Sequence, residues 1–161
     1  MADPLLEMGP ESPLEVVPLV GVPPLLFGMS GDDVEGLLGR GVTEGPGRLW
    51  YFNHRLQVDF PDGEVSFFQI HWQPGSPPVM YEGVSVFETP AEELVEHISG
   101  ERRDRDYHTF SDLDLDLKLW RPMLPSDYLP TDPDDEYRKG WCWMTIAIGR
   151  GGILQEEPGG P

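Results

Sequence analysis

The chain has 161 residues, of which 39% are hydrophobic and 11% aromatic, so it can build one domain with its own core and is not a wholly disordered chain. Its 11 Lys and Arg against 29 Asp and Glu give a formal net charge of −18. This charge disfavours binding to nucleic acid or to an anionic membrane and favours basic partners. The single cysteine, Cys142, permits no intramolecular disulfide and favours a reducing compartment.

The longest apolar stretch, residues 14–27, is interrupted by prolines and has no basic residue before it. It lacks the features of a signal peptide and of a spanning helix, so we expect a cytoplasmic protein. Residues 1–13 and 155–161 are rich in Pro, Gly or Glu and are predicted to be flexible tails. Residues 14–154 are predicted to form a single domain.

The first half of this domain predicts a helix followed by antiparallel strands. Ser30 and Asp33 have the spacing of a capping box, and an apolar stripe runs from Val34 to Leu38 before Gly39 ends the helix. Alternating runs typical of strands follow at residues 49–53, 56–60 and 65–72.

The same order recurs in the second half, after a short strand at residues 84–87. Thr89 is predicted to cap a second helix, with Pro90 at its first position and Glu92 completing the capping box. Further runs typical of strands follow at residues 107–110, 113–120 and 141–148.

These patterns predict an α+β fold in which two helices pack on an antiparallel sheet. The recurrence also suggests two tandem helix-plus-meander repeats, residues 27–72 and 84–149. Adding 59 takes Ser30 to Thr89 and Leu56 to Leu115. Any two units of this kind share caps and alternation, so duplication and coincidence both stay open.

The tripeptide at residues 61–63, Pro-Asp-Gly, predicts a hairpin. With a two-residue turn, Val58 faces Phe67, and both lie on the apolar face of the sheet against the first helix. The same register places His54 opposite His71.

Two imidazoles that face each other on paired strands could share a metal ion. A catalytic zinc site usually has three protein ligands, and the local sequence offers no clear third, so we expect a polar pair and no cofactor. The alternative is a small hydrolase or metal-dependent enzyme that uses His54, His71 and the carboxylates of a long proline-rich loop, residues 121–139.

Three aspartates, Asp112, Asp114 and Asp116, alternate with leucines. A calcium loop would need Gly and Glu where the chain has Leu117 and Met123, so that reading fails. The period of two instead predicts a strand with leucines inward and carboxylates outward. These carboxylates form either a solvated face or a ladder for a basic partner.

The 121–139 loop combines acidic and aromatic residues, and Trp72 is predicted to lie at a strand end with its ring exposed. Binding hot spots favour Trp and Tyr, so these groups are candidates for a contact surface. The candidate partner-binding residues are Asp112, Asp114, Asp116, Asp132, Asp134, Asp135, Glu136, Tyr128, Tyr137 and Trp72.

A family resemblance lies in the first half. Residues 27–34 read FGMSGDDV, residues 37–39 LLG, residues 50–52 WYF and residues 56–65 LQVDFPDGEV. This pattern resembles the repeat of the β-lactamase-inhibitor-like superfamily and of the small outer-membrane assembly lipoproteins, over residues 27–71 with a fainter second copy at 86–148.

The resemblance implies a layer of helix on antiparallel sheet whose known members mostly bind other proteins. The chain lacks the lipoprotein cysteine and a disulfide pair, so neither location nor partner carries over. Small acidic proteins also occur as immunity partners of bacterial toxins, by analogy alone. We therefore expect a non-enzymatic protein-binding domain with a basic protein partner, such as a toxin-neutralising immunity protein.

Overall fold

The computed structural model describes residues 12–73, 75–99, 109–112, 115–121 and 142–150. In these residues the chain has an α+β fold, as predicted, with helices α1 (Gly31–Leu38) and α2 (Ala91–Ser99). No helix in this part of the chain is long and apolar enough to cross a membrane. The strands are β1 (Leu14–Glu15), β2 (Gly21–Val22), β3 (Leu25–Leu26), β4 (Val42–Thr43), β5 (Arg48–Tyr51), β6 (Leu56–Asp59), β7 (Phe67–His71), β8 (Val79–Tyr81), β9 (Val84–Ser85), β10 (Thr109–Asp112), β11 (Leu117–Trp120) and β12 (Thr145–Gly149).

One seven-stranded sheet dominates the architecture, with strand order β10-β11-β12-β7-β6-β5-β4. All its neighbouring strands are antiparallel. Two smaller sheets, β1-β8-β9 and β2-β3, lie beside it, and β1 with β8 is a parallel pair.

The predicted capping box of α1 is present. The hydroxyl of Ser30 accepts a hydrogen bond from the Asp33 amide at 3.1 Å, and the Asp33 carboxylate accepts one from the Ser30 amide at 3.2 Å. These bonds satisfy two donors that a helix start leaves unpaired. Gly39 caps the end of the helix, and its φ of +84° is a conformation that glycine adopts without steric cost. The Gly39 amide donates a hydrogen bond to the carbonyl of Glu35.

The core lies between the helices and one face of the large sheet. Val34 of α1 and Leu94 and Val95 of α2 are fully buried there. We call this side of the sheet the inner face. Its strand residues are Leu49, Tyr51, Leu56, Val58, Phe68, Ile70, Phe110, Leu117, Leu119, Ile146 and Ile148, all of them buried.

The opposite side of the sheet, which we call the outer face, carries the alternate positions of each strand. In the described part of the chain both helices pack on the inner face, so neither covers the outer one. The outer-face residues are Val42, Arg48, Trp50, Gln57, Asp59, Phe67, Gln69, His71, Thr109, Ser111, Lys118, Trp120, Thr145, Ala147 and Gly149.

The register between β6 and β7 differs by one residue from the prediction. Val58 pairs with Phe68 instead of Phe67. The turn itself forms, since the Gly63 amide donates to the Phe60 carbonyl at 3.0 Å, but β7 does not pair with β6 directly after it.

The cause of this shift is a contact that is distant in sequence. Val65 exchanges hydrogen bonds with the segment before α1, donating to the Met29 carbonyl at 2.7 Å and accepting from the Gly28 amide at 2.9 Å. Pairing with β6 resumes only at Ser66, so Phe68 occupies the core and Phe67 faces outward. A one-residue shift moves every side chain of a strand to the other face.

The predicted strand over residues 113–120 is shorter than expected. β11 begins at Leu117, and Asp116 lies in the preceding turn with a φ of +50°. Its carbonyl accepts a hydrogen bond from Gly149 at 2.8 Å, and the residue is only 1% exposed. The expectation of an outward-facing Asp116 is therefore wrong; Leu113 and Asp114 lie outside the described residues.

The two meanders of the large sheet have matching hairpins. Tyr51 pairs with Leu56 at the end of the β5–β6 hairpin, and Asp112 pairs with Leu117 at the end of the β10–β11 hairpin. Four residues connect the paired positions in each hairpin. Equivalent positions differ by 61 residues, so the offset of 59 that aligned Leu56 with Leu115 is wrong for the strands. The bridge Ser30–Glu64 before α1 has a counterpart in Pro90–Cys142 before α2.

The observed register places two adjacent phenylalanines on opposite faces of the sheet, so their substitution should have different effects on stability. We expect Phe68→Ala to lower the free energy of unfolding by about 3–5 kcal/mol, because it empties a core position. Phe67→Ala should cost less than about 2 kcal/mol, because its ring is half-buried on the outer face. Urea denaturation of both variants measures the difference, and a larger loss for Phe67→Ala would contradict the register.

Candidate functional site

The outer face contains a cavity of about 280 Å³ over the three adjacent strands β11, β12 and β7. This volume is close to the lower end of the range for small-ligand pockets and is sufficient for a large amino-acid side chain. Its walls mix aromatic, polar and cationic groups. The lining residues are Phe67, Gln69, His71, Lys118, Trp120, Thr145 and Ala147.

His71 is held in place on the floor of this cavity. Its Nδ1 lies 3.0 Å from the Thr145 hydroxyl, and its Nε2 lies 3.1 Å from Nε2 of Gln69. A neutral imidazole that donates from Nδ1 and accepts at Nε2 satisfies both contacts. Burial lowers the pKa of His71, which favours the same neutral form.

Trp50 connects His71 to the neighbouring turn. Its ring stacks on His71 at 6.0 Å between centroids and contacts His54 at 5.2 Å. The indole nitrogen donates to the Glu44 carboxylate at 2.9 Å. The predicted pairing of His54 with His71 is wrong, because the amide of His71 bonds to the Arg55 carbonyl, but both imidazoles contact the same indole.

A charged pair borders this aromatic group on β5 and β6. Arg48 donates to the Asp59 carboxylate from Nε at 2.8 Å and from Nη2 at 3.1 Å, in a bidentate arrangement. Asp59 raises the pKa of Arg48, and Gln57 donates to the same carboxylate at 3.1 Å. These hydrogen bonds order the three side chains.

Trp120 forms the exposed wall of the cavity and is the residue that the sequence interpretation missed. It is 44% exposed, unusually high for a tryptophan on a strand. The signal was present in the alternation of β11, because inward Leu117 and Leu119 require outward Lys118 and Trp120.

The described candidates from the sequence do not lie in this cavity. Asp112 pairs with Leu117, and its carboxylate accepts a hydrogen bond from the Leu115 amide at 3.2 Å, so it caps the β10–β11 turn. Asp116 is buried in the same turn. Trp72 packs against the core with its ring half-buried, which differs from the predicted exposed ring.

The other candidates, Asp114, Asp132, Asp134, Asp135, Glu136, Tyr128 and Tyr137, lie outside the described residues, as do the two predicted tails apart from residues 12–13 and most of the loop at 121–139.

The alternative interpretation of His54 and His71 was a metal site. Over the described ranges, no group of three or more His, Cys, Asp or Glu side chains is placed to hold a metal ion. Both ring nitrogens of His71 contact neighbouring side chains, and binding a metal at either nitrogen would break one of these contacts.

Comparisons with known proteins identify no relative: no protein-family model matches the chain, and neither curated proteins nor solved structures give a significant match.

The half-buried His71, whose pKa burial lowers, predicts a pH dependence of stability. Because the pKa of His71 is lowered in the folded protein, the unfolded chain binds a proton at this residue more readily than the folded chain does. The difference matters below about pH 6.5, the ordinary pKa of histidine. The stability that His71 contributes is therefore fully present above this pH and is lost as the pH falls below it.

We expect wild type to lose more free energy of unfolding between pH 7.5 and pH 5.5 than His71→Gln, whose amide cannot titrate. Denaturant melts at the two pH values measure this loss. His54→Gln, which removes an exposed imidazole from the same group, is the matched control. Equal losses in wild type and His71→Gln would show that His71 is not held neutral by the fold.

Proposed function

We propose that this protein is a protein-binding domain that holds a positively charged protein partner on the outer face of its large sheet. The observation that carries the proposal is the cavity beside the exposed ring of Trp120, on a face that neither helix covers. Tryptophan is enriched among the residues that dominate binding energy, and these residues cluster at well-packed pockets near the centre of an interface.

The rigidity of the face supports binding. Its side chains project from strands and not from loops, and hydrogen bonds fix His71 and Arg48 in single arrangements. Groups ordered in advance lose less conformational entropy when a partner binds.

Charge supports the choice of a basic partner. The formal net charge of −18 attracts basic proteins over a distance. The outer face itself is balanced, because Arg48 and Lys118 offset Asp59 and Glu44. Long-range attraction and close contact therefore reside in different parts of the molecule, and a toxin-neutralising immunity protein that blocks a basic toxin is the specific form of this proposal.

An enzyme remains the alternative, as a small hydrolase or metal-dependent enzyme around His71. The cavity gives it a place for a small substrate, but the loop carboxylates that it requires lie outside the described residues. The resemblance to the β-lactamase-inhibitor-like repeat stays a prediction and agrees with a binding role.

The proposal is tested by exchanging one exposed apolar side chain. Wild type, Trp120→Ala and Leu26→Ala are immobilised and exposed at low salt to an extract of the native cell. Leu26 is the matched control because it is similarly exposed, at 41%, but lies on β3, away from the large sheet.

We expect a basic protein that wild type and Leu26→Ala retain and Trp120→Ala loses, with a dissociation constant for the purified pair at least tenfold higher in Trp120→Ala. Far-ultraviolet circular dichroism confirms that each variant folds. A basic partner that binds Trp120→Ala as tightly as wild type, or no partner retained by wild type, would contradict the proposal.

Long-range attraction and close contact reside in different parts of the molecule, so removing acidic charges should change how fast a partner associates and leave the contact itself intact. Neutralising Asp132, Asp134 and Asp135 to Asn should slow association at low salt and flatten its dependence on ionic strength, with little change in dissociation. Association rates against salt concentration measure both effects. Identical salt dependence in wild type and the triple variant would show that these charges do not guide the approach.

A further inference from the structure

The cavity on the outer face is produced by small side chains on its middle strand. The outer-face positions of β12 are Thr145, Ala147 and Gly149. Ala147 pairs with Gln69 on β7 and with Lys118 on β11, so larger side chains flank it on both sides. Adjacent strands are about 4.8 Å apart, so the space above β12 has the width of one row of side chains. A single planar side chain placed there contacts both neighbouring rows.

Two aromatic rings border this space at opposite corners. Phe67 on β7 pairs with Gly149, and Trp120 on β11 pairs with Thr145. Both aromatic residues line the cavity, and Trp120 is 44% exposed. Aromatic rings pack favourably on one another in offset and edge-to-face arrangements. The shape of the space and its aromatic borders therefore favour an aromatic ring as the occupant.

The cavity also presents a hydrogen-bond acceptor. The amide nitrogen of Gln69 donates to the neutral His71, whose other ring nitrogen donates to the Thr145 hydroxyl. The amide oxygen of Gln69 receives no hydrogen bond from the described residues and is not buried. Because Gln69 lines the cavity, this oxygen is available to a donor on the occupant.

Charge disfavours the ionised side chains. None of the described residues that line the cavity is an Asp or a Glu, and Lys118 is among them. A lysine or arginine that entered would lie near the Lys118 ammonium without a carboxylate on the cavity wall to balance it. An acidic side chain would be attracted to Lys118, but the formal net charge of −18 repels an acidic partner. A neutral aromatic side chain avoids both costs.

We propose that the outer-face cavity binds a tyrosine side chain of the partner protein. The ring packs above β12 between Phe67 and Trp120, and its hydroxyl donates to the amide oxygen of Gln69. Tyrosine carries its donor at the tip that enters the cavity first, whereas the N–H of tryptophan lies on the side of a larger ring. This inference rests on the proposed function and makes it more specific: the partner is basic as a whole, but the residue that enters the cavity is neutral and aromatic.

The first experiment needs no partner. N-acetyl-tyrosinamide is titrated into isotope-labelled wild type and followed by two-dimensional NMR. We expect saturable shifts at the Trp120 indole N–H, the Gln69 side-chain amide and the Ala147 methyl group, with a dissociation constant of about 1–10 mM for so small a ligand. The phenylalanine derivative should bind about fivefold more weakly, which corresponds to one ordinary hydrogen bond. The arginine derivative should give no saturable shift.

Three variants locate the binding. Ala147→Leu fills the space above β12 and should weaken binding of N-acetyl-tyrosinamide by at least about tenfold, because a packed site has no room for a second side chain. Ser111→Leu is the matched control, since it makes a comparable enlargement in the same row of the sheet but on β10, outside the cavity. Gln69→Leu should keep binding of both rings and remove the preference for tyrosine over phenylalanine.

Three results would overturn the tyrosine site. They are equal binding of the tyrosine and phenylalanine derivatives to wild type, tighter binding of the tryptophan or arginine derivative, and binding that Ala147→Leu leaves unchanged. The NMR spectrum of each variant shows whether it folds, and the comparison of derivatives on wild type does not depend on any variant.

The second experiment uses the basic protein that immobilised wild type retains. N-acetyl-tyrosinamide, at several times its dissociation constant, should release this partner more effectively than the phenylalanine derivative does. A partner that requires Trp120 but is not released, and that binds Ala147→Leu as tightly as wild type, would overturn the tyrosine site and leave the proposed function intact. Saturable binding of N-acetyl-tyrosinamide in the cavity, with no partner retained, would support the site and contradict the proposed function.

Discussion

The pairing of β7 with β12 is the contact on which the remaining architecture depends. It joins a four-stranded meander from the first half to a three-stranded meander from the second, two strands separated by more than 70 residues of chain. Its inner-face residues Phe68, Ile70, Ile146 and Ile148 are all buried, so it forms the centre of the core. Its outer-face residues form the floor of the outer-face cavity, so the same pairing positions the candidate site.

This pairing also relates the two halves by an approximate twofold arrangement. Gln69 pairs with Ala147, and equivalent positions run outward from this pair in both directions. Positions on the inner face stay mostly apolar in both halves because both must bury them. Positions on the outer face differ, since Asp59 in the first half corresponds to Trp120 in the second. A shared scaffold therefore carries an asymmetric surface.

Local signals in the sequence predicted the helices and the course of most strands, because capping and alternation depend on neighbouring residues. Ser30 and Asp33 cap α1 as expected. The register of β7 could not be obtained in this way, because the bonds of Val65 to the segment before α1 join residues far apart in sequence. The burial of Arg55 depends in the same way on Pro77, whose carbonyl accepts a hydrogen bond from the guanidinium although it lies 22 residues further along the chain.

The distribution of charge explains why an acidic chain need not bind through its acidic residues. Helix α1 carries Asp32, Asp33 and Glu35 without a Lys or Arg, and this acidity lies on the side away from the outer face. Charges at such a distance change the rate at which a partner arrives, but they add little to a complex once screened by physiological salt. Tight binding requires groups that lose water on contact, and the indole of Trp120 beside an open cavity is such a group. In the proposed function the acidic surface and the aromatic cavity therefore have separate roles, and their separation would allow affinity to change without loss of the attraction that brings the partner close.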